Sequence, residues 1–395
     1  MNIPELTNQI YDEMVEWRRT LHRHPELSFE EQKTSEFIYN QLLAFGCDQV
    51  TRLCGTAVVA LIHGGKGPGK CMAIRADIDG LPVTEETGSP FASDVTGTMH
   101  ACGHDGHVAI LLATAKILTE HRQEFPGTVK LIFQHGEEKF PGGAKGLVEA
   151  GVMEHPHVDA VIGLHIVPDR RCGVIRVKAG AAAIGCDVAN VTITGKSGHA
   201  ARPHEAHDAL LAACQYVIAL QQIVSRSINP KNTEIISVGL LNAGTAVNII
   251  PGTATLSLNA RSYDLESRAI TKKKLYDIAD GISRITGCDF HIDYVDGYEP
   301  TINHEDIVSL VVSACQKHLG EASVEIGEYD LGSDDFSHYM NATHTPGAYF
   351  FLLAGYEGDE LFVNHHPRFT WKEDAMKTGV GAYLAVLMEY LNGND

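Results

Sequence analysis

The stretch HVAILLATAKILTEHRQEFPGTVKLIFQH (107–135) joins a long apolar segment to a second, shorter one. Apolar residues recur at helical spacing over 107–118, whereas TVKLIFQH (128–135) has the length and composition of a buried strand. A similar short run, CMAIRA (71–76), precedes the helical segment. A strand, a helix and a second strand in this order are typical of a parallel β-α-β unit.

Two further runs beside this unit have the same character, TAVVALIH (56–63) and DAVIGLHI (159–166). Strands that are apolar almost throughout indicate a sheet that is buried on both faces. We therefore predict an α/β fold in which a mainly parallel sheet is flanked by helices.

Two helices are predicted ahead of the first strand. The first spans residues 6–21. The second begins at a capping box formed by Ser28 and Glu31, because a serine followed three residues later by a glutamate can satisfy the free N–H groups of a helix start. It ends at Gly46, since glycine readily adopts the left-handed conformation after a helix.

The pattern changes near residue 180. The following segment has two helical runs, 206–224 and 265–285, separated by strand-like runs at 234–241 and 254–260. With strands at either end, this β-α-β-β-α-β order is that of a ferredoxin-like α+β sandwich. We predict that 181–295 is a lid and dimerisation domain inserted into a catalytic domain built from 1–180 and 296–395.

Composition excludes several classes of partner. The chain has 31 basic and 50 acidic residues, and its net charge of -19 disfavours nucleic acids and anionic membranes. The amino terminus lacks the basic and apolar segments of a secretory signal, and no apolar stretch is long enough to span a bilayer. Nine cysteines without regular spacing are typical of reduced thiols, so we expect a cytoplasmic protein.

The sequence MHACGHDGH (99–107) predicts a metal site. Cys102 and His104 lie two residues apart in a glycine-containing turn just before a helix, so both side chains can point into one cavity. Thiolate sulfur and imidazole nitrogen bind zinc at roughly 2.0 to 2.3 Å, and a thiolate can bridge two ions. The alternative is that Cys102 is a buried structural thiol. A redox role for Cys102 is disfavoured because a CxxC partner is absent.

Other candidate ligands follow apolar strands. In HGEE (135–138), one of Glu137 and Glu138 can bind a metal while the other accepts a proton from water and passes it to a leaving nitrogen. His165 ends another strand, where a histidine is also common as an ordinary core residue. His365 is adjacent to His366, and either one can be the ligand.

Seven segments together resemble the aminoacylase and hippurate hydrolase branch of the two-metal metallopeptidases, which includes plant hydrolases of indole-acetyl amino acids. The resemblance extends nearly from end to end. The segments are LHRHPELSFEE, RADIDGLP, MHACGHDGH, QHGEE, IGLH, GKSGHAARP and NHHPRF.

This resemblance implies metal-dependent hydrolysis of the amide bond of an N-acyl amino acid by a homodimer or higher homo-oligomer. Two divalent ions, zinc, manganese, nickel or cobalt, are expected. Glu137 is the implied general base and acid, and Asp79 is implied to lie behind a ligand. The implied ligands are Cys102, His104, Glu138, His165 and His365.

The resemblance also assigns roles to the lid. His199 is expected to stabilise the oxyanion, in its own subunit or across a dimer, and Asn248 and Arg261 to bind substrate. One position departs from the family pattern, because Asn364 replaces a leucine that many relatives have before His365. The remaining alternatives are a dipeptidase or carboxypeptidase with the same fold and a non-catalytic metal-binding protein.

Overall fold

The computed structural model describes residues 1–328, 332–358 and 360–393. The chain divides into two compact units. The first unit comprises Met1–Ala182, Ile302–Tyr329 and Asp335–Asp395, and the inserted unit comprises Ala183–Thr301 and Asp330–Asp334. Each helix in the described residues is too short or too polar to span a membrane.

The strands and helices of the described residues are as follows. The strands are β1 Gln49–Leu53, β2 Ala57–His63, β3 Cys71–Asp77, β4 Thr128–Gln134, β5 Ala160–Val167, β6 Cys172–Val177, β7 Gly180–Ala183, β8 Gly185–Thr194, β9 Gly198–His199, β10 Glu234–Ala243, β11 Ile249–Ile250, β12 Thr253–Ser262, β13 Asp289–Tyr298, β14 Thr301–Asn303, β15 Val324–Ile326 and β16 Gly347–Ala354. The α-helices are α1 Ile3–Gln9, α2 Tyr11–Arg23, α3 Gln32–Phe45, α4 His104–Glu120, α5 Gly143–Glu149, α6 Ala209–Gln222, α7 Leu265–Thr286, α8 Glu305–Leu319, α9 Ser337–Asn341 and α10 Ala375–Asn392.

The first unit has an eight-stranded sheet in the order β1-β2-β4-β3-β5-β16-β6-β15. The four central strands, β4, β3, β5 and β16, are parallel to one another, whereas β1, β2 and β6 join antiparallel. All residues of β3 and β16 are buried, as the apolar run at 71–76 predicted for β3. The predicted α/β fold class is confirmed.

Side chains alternate along the central strands and therefore contribute to two cores, one on each face of the sheet. Met72 and Ile74 of β3 pack in the larger core with α4 and α10, whereas Cys71 and Ala73 pack in a smaller core with residues of α5 and α9. Helix α4 is buried over nearly its whole length, because it lies between the sheet and other helices of its face. Its first turn is thereby held rigidly at the edge of the sheet.

Two predictions near the amino terminus are wrong. The single first helix is instead two helices, α1 and α2, which are separated at Ile10. The predicted capping box at Ser28 and Glu31 does not form, because α3 begins at Gln32 and Glu31 makes no capping hydrogen bond. Both side chains instead bond to loops far away in the sequence. The predicted end at Gly46 is correct, and this glycine has a φ of 79°.

The inserted unit has a four-stranded antiparallel sheet in the order β10-β12-β8-β13. Along the chain its main elements follow the order β8, α6, β10, β12, α7 and β13, which is the predicted β-α-β-β-α-β arrangement. Residues from α6 and α7 form one core with the sheet. A short additional pair, β9 and β11, lies in the same unit.

Candidate metal centre and active site

The candidate site of the first unit lies where its central parallel strands end. Strand β3 leads to Asp79, β4 leads to Glu137 and Glu138, and His165 lies near the end of β5. The first turn of α4 begins at His104 beside these strand ends. This is the edge at which an open α/β sheet places its ligand-binding residues.

Two groups of three metal-binding side chains share Cys102. One group combines Cys102 with His104 and His165, and the other combines it with Glu138 and His365. Within each group, all ligand atoms lie within 4.8 Å of one another. The thiol therefore lies within reach of both groups, and its sulfur could be shared between them.

His104 is oriented by Asp79. Its Nδ1 atom lies 3.0 Å from the Asp79 backbone oxygen and 3.3 Å from Oδ1 of the same residue. These contacts leave Nε2 directed away from Asp79, 3.9 Å from Oε1 of Glu138. A carboxylate that holds the second ring nitrogen of a histidine ligand is a common feature of metal sites. Asp79, for which the sequence predicts a position behind a ligand, therefore contacts the ring of His104 through its backbone and its carboxylate.

The same aspartate also holds Glu138. The backbone N–H of Glu138 donates to Oδ2 of Asp79 over 3.0 Å. The neighbouring Glu137 is buried, and its Oε2 atom lies 4.0 Å from Nε2 of His104. The carboxylates of both glutamates therefore lie close to the side chains that are grouped around Cys102, which are together called the donor group.

Cys102 and His165 are in direct contact. The Cys102 sulfur lies 3.3 Å from Nε2 of His165, and Nδ1 of His165 lies 2.7 Å from the backbone oxygen of Ile166. Asn364 supports this arrangement, because its Nδ2 atom donates to the backbone oxygens of Cys102 at 3.2 Å and Ile166 at 3.3 Å. A leucine at position 364 would make neither bond.

The structure distinguishes the two adjacent histidines near the carboxyl terminus. Nε2 of His365 lies 3.2 Å from Oε1 of Glu138. The ring of His366 instead stacks on Phe362 with its centroid 4.6 Å away, and its Nδ1 accepts the backbone N–H of Arg368. His365 has a φ of 71°, which is uncommon for a residue with a side chain and turns its ring towards the donor group.

His107, which the sequence left without a role, connects two strand ends. Its Nδ1 atom lies 2.6 Å from Oδ1 of Asp77, and its Nε2 accepts the backbone N–H of Ile166 at 2.8 Å. Both ring nitrogens are occupied, so His107 is a support for β5. Asp77 also accepts a hydrogen bond from the buried Arg75 at 2.6 Å. No sequence signal separated His107 from its neighbours as a support.

The electrostatics of the cluster favour a cation. Burial opposes a charge on His104, but Asp77 and Asp79 outweigh it and raise the pKa of this imidazole to about 10. Burial, followed by the charges of Glu138 and Glu137, raises the pKa of the Cys102 thiol well above its usual value. A divalent cation among these groups would offset the carboxylates and stabilise the thiolate.

The hydrogen bonding of two buried polar atoms indicates whether the residues fit a metal. Among the described residues, Nε2 of His104 makes no hydrogen bond, and Oε1 of Glu138 makes none either, although Nε2 of His365 lies 3.2 Å from it without hydrogen-bond geometry. A buried polar atom without a partner typically costs about 1–3 kcal/mol. A metal ion bound by both atoms would remove this cost, and sulfur, nitrogen and oxygen donors suit several divalent transition metals. The donor set therefore fits a metal centre.

Three further predicted residues lie in the inserted unit. His199 is exposed in β9, which pairs with β11. The backbone N–H of Ala200 donates to the oxygen of Asn248 at 3.1 Å, so His199 and Asn248 lie on adjacent segments. Arg261 lies in β12, where its Nε donates to Oδ1 of Asn259 at 2.9 Å.

Residues 73–389 match the sequence family described as Peptidase family M20/M25/M40. The match begins within β3 and ends within α10, and so includes the strands and loops of the donor group. The chain belongs to peptidase family M20/M25/M40. The resemblance to the aminoacylase branch of the two-metal metallopeptidases is thereby confirmed.

Three relatives show the range within the M20 family. The N-acyl-L-amino acid amidohydrolase of Geobacillus stearothermophilus is 41% identical over 77% of this chain and 81% of its own length. Thermostable carboxypeptidase 1 of Saccharolobus solfataricus is 37% identical over 97% of both chains. The crystal structure of the Bacillus subtilis YXEP protein, titled a dinuclear metal binding peptidase, is 31% identical, with a TM-score of 0.84 over 98% of this chain and 100% of that one.

The family match, together with relatives named as amidohydrolases and hydrolases, shows that this chain is a metal-dependent amidohydrolase. The structural similarity to a dinuclear metal-binding relative and the two donor groups that share Cys102 agree on two divalent metal ions.

Proposed function

We propose that this enzyme hydrolyses N-acyl amino acids to a carboxylate and a free amino acid, with Glu137 as general base and acid. The proposed metal ligands are Cys102, His104, Glu138, His165 and His365. The observation that supports these roles is the pair of donor groups that meet at Cys102, with the buried carboxylate of Glu137 only 4.0 Å from Nε2 of His104.

When two divalent ions are bound in such a site, they polarise the amide carbonyl and lower the pKa of a water molecule from about 15.7 towards 7. Glu137 then accepts a proton from the attacking water and delivers it to the leaving nitrogen. Asp79 keeps His104 and Glu138 in place during this transfer, because it contacts the ring of one residue and the backbone of the other.

The identity of the metal is part of the proposal. A shared thiolate with imidazole and carboxylate donors suits zinc, manganese, nickel or cobalt. Burial, with a further contribution from His107, lowers the pKa of His165 well below its usual value. His165 is therefore neutral, which is the form that binds a metal.

The inserted unit supplies the proposed substrate contacts. We assign the lid and dimerisation role to 181–295 and the catalytic domain to 1–180 with 296–395, in a cytoplasmic homodimer or higher homo-oligomer. His199 donates to the oxyanion, while Asn248 and Arg261 bind the amino acid portion. A planar guanidinium such as that of Arg261 can hold a carboxylate by two parallel hydrogen bonds.

A carboxypeptidase or dipeptidase is the second candidate, because the relative from Saccharolobus solfataricus, which is 37% identical, is named a thermostable carboxypeptidase. The substrates of the two candidates differ in the acyl part, which lies on the amino-terminal side of the scissile amide bond. An N-acetyl or N-benzoyl group has no charge there, whereas a dipeptide carries an ammonium group.

A substrate panel on metal-reconstituted enzyme tests this proposal. N-acetyl, N-benzoyl and N-indole-acetyl derivatives of one amino acid are compared with dipeptides that end in the same amino acid. We expect kcat/KM to be higher for at least one acyl series than for each dipeptide. Faster cleavage of the dipeptides would establish the second candidate, and no metal-dependent hydrolysis across the panel would overturn both.

A further inference from the structure

The segment between α2 and α3 contains a fully buried carboxylate that bonds to the loop of the proposed base. Glu31 has no exposed surface. Its Oε1 atom accepts the backbone N–H groups of Phe29 and Gly136, each at 2.8 Å, and its Oε2 accepts the hydroxyl of Thr56 at 2.7 Å. Three donors therefore converge on one carboxylate, and one of them belongs to the residue directly before Glu137.

The bond to Gly136 restrains a turn that is also confined from another side. Gly136 has a φ of 65°, and a Cβ atom at this position would lie 2.5 Å from the ring of Phe29. Phe29 also has a positive φ, of 69°, and its ring contacts His135 edge to face. The turn at 135–138 is thus held by a hydrogen bond to its backbone and by an aromatic ring packed against its glycine.

The same segment bonds to the loop of Asp79. The hydroxyl of Ser28 donates to Oδ2 of Asp79 at 2.6 Å, and the backbone N–H of Gly80 donates to the oxygen of Glu26 at 2.8 Å. Oδ2 of Asp79 also accepts the backbone N–H of Glu138. Residues 26–31 therefore connect the two loops that hold His104, Glu137 and Glu138.

We propose that Glu31 is a positioning residue, which holds the 135–138 turn so that Glu137 and Glu138 lie at the distances that the reaction and the metals need. Glu31 does not contact a proposed ligand side chain; it acts through the backbone of Gly136. This inference rests on the roles proposed for Glu137 and Glu138.

The test compares Glu31→Ala with Glu30→Ala, which alters the exposed neighbouring glutamate. Two quantities are measured at a temperature where circular dichroism shows both variants folded: kcat per metal-loaded site, and the Zn²⁺ affinity of the metal-free protein by competition with a chromophoric chelator. For Glu31→Ala we expect kcat to fall about 10- to 100-fold with KM within twofold, and Zn²⁺ affinity to fall about tenfold or more. Glu30→Ala should match the wild type.

A conservative variant separates positioning from general stability. Glu31→Gln retains an oxygen that can accept both backbone N–H groups, so it should recover kcat to within about fivefold of the wild type. If Glu31→Ala does not fold, Glu31→Asp is measured in its place. The aspartate side chain is one methylene shorter, so its carboxylate lies further from Gly136. For Glu31→Asp, kcat should fall at least about fivefold at unchanged KM. A folded Glu31→Ala or Glu31→Asp protein with kcat and Zn²⁺ affinity within twofold of Glu30→Ala would overturn the proposal.

Glu137→Gln, assayed in parallel, separates the two levels of inference. If Glu137→Gln is inactive while Glu31→Ala is unaffected, the positioning role of Glu31 is wrong and the assignment of the base stands. If Glu137→Gln retains near-normal turnover, the assignment of the base is wrong, and the Zn²⁺ affinity then tests whether Glu31 holds Glu138.

Discussion

Nε2 of His365 lies 3.2 Å from Oε1 of Glu138, although the inserted unit separates the two residues in the sequence. The backbone N–H of His365 also donates to the oxygen of Ala101 at 2.8 Å, next to Cys102. The turn that contains His365 is therefore attached to the loop that contains the proposed shared thiol. The adjacent His366 stacks on Phe362 instead.

Replacing each of these histidines in turn should separate them. His365→Ala removes a proposed ligand, so metal content should fall and kcat/KM should drop at least about 100-fold. His366→Ala should retain both metals and change kcat/KM by less than about fivefold. The Nδ1 atom of His366 already accepts the backbone N–H of Arg368, and its ring stacks on Phe362. Metal analysis and hydrolysis rates check both; loss of metal in His366→Ala alone would reverse the assignment.

Replacing the two adjacent glutamates should have different effects. Glu137→Gln should retain both metals and lose about 10²- to 10⁴-fold in kcat, since proton transfer by a positioned group typically contributes that much. Glu138→Gln should lose metal as well, because the neutral amide is a weaker ligand. Elemental analysis beside single-turnover assays makes the comparison. Equal metal loss in the two variants would show that Glu137 is also a ligand.

Gly136→Ala should lower kcat as well as the thermal stability of the protein. A left-handed conformation costs a residue with a side chain about 1–2 kcal/mol, and the added methyl group would also press on the ring of Phe29. Gly88→Ala is the matched control, since Gly88 has a φ of 68° with open space around its Cβ position. Thermal unfolding and kcat are measured for both.

A second substitution tests the steric part. Phe29→Ala in the Gly136→Ala background should recover some of the lost kcat, because it removes the ring while leaving the backbone strain. If Gly136→Ala and Gly88→Ala reduce stability equally and neither changes kcat, the contact with Phe29 does not influence the turn.

In the inserted unit, His199→Ala should reduce kcat about 10²- to 10³-fold with both metals retained, as expected for removal of one oxyanion donor. His204→Ala is a suitable control, because His204 is exposed on the same unit and lies 3.7 Å from Glu205. Steady-state kinetics with an N-acyl amino acid compare the two. If both variants keep wild-type kcat, the oxyanion role of His199 is wrong.

Local patterns were sufficient to predict the strands and most of the donor group. The apolar runs that became β2, β3, β4 and β5 differ from the observed strands by at most one residue at each end, because burial on both faces makes most positions of these strands apolar. Cys102 and His104 could be found for a similar reason, since Cys102 lies in the turn just before α4 and His104 is the first residue of that helix.

The capping-box prediction failed because it depended on contacts between distant parts of the sequence. Ser28 and Glu31 have the spacing of a capping box, but their partners are Asp79 and Gly136, which the sequence does not bring close. A side chain that bonds to a distant loop cannot also cap the helix beside it. The choice between His365 and His366 likewise depends on a backbone conformation, and spacing alone leaves both open.

The hydrogen bond between Glu31 and Gly136 also has a consequence for how this enzyme can be shortened. The family match starts at residue 73, so a protein that began there would contain all the proposed ligands and Glu137. It would lack Glu26, Ser28, Phe29 and Glu31, and with them their contacts to the loops of Asp79 and Gly136. The amino-terminal segment therefore has to be kept together with the strands that carry the proposed ligands. This applies both when parts are exchanged between homologues and when the enzyme is engineered.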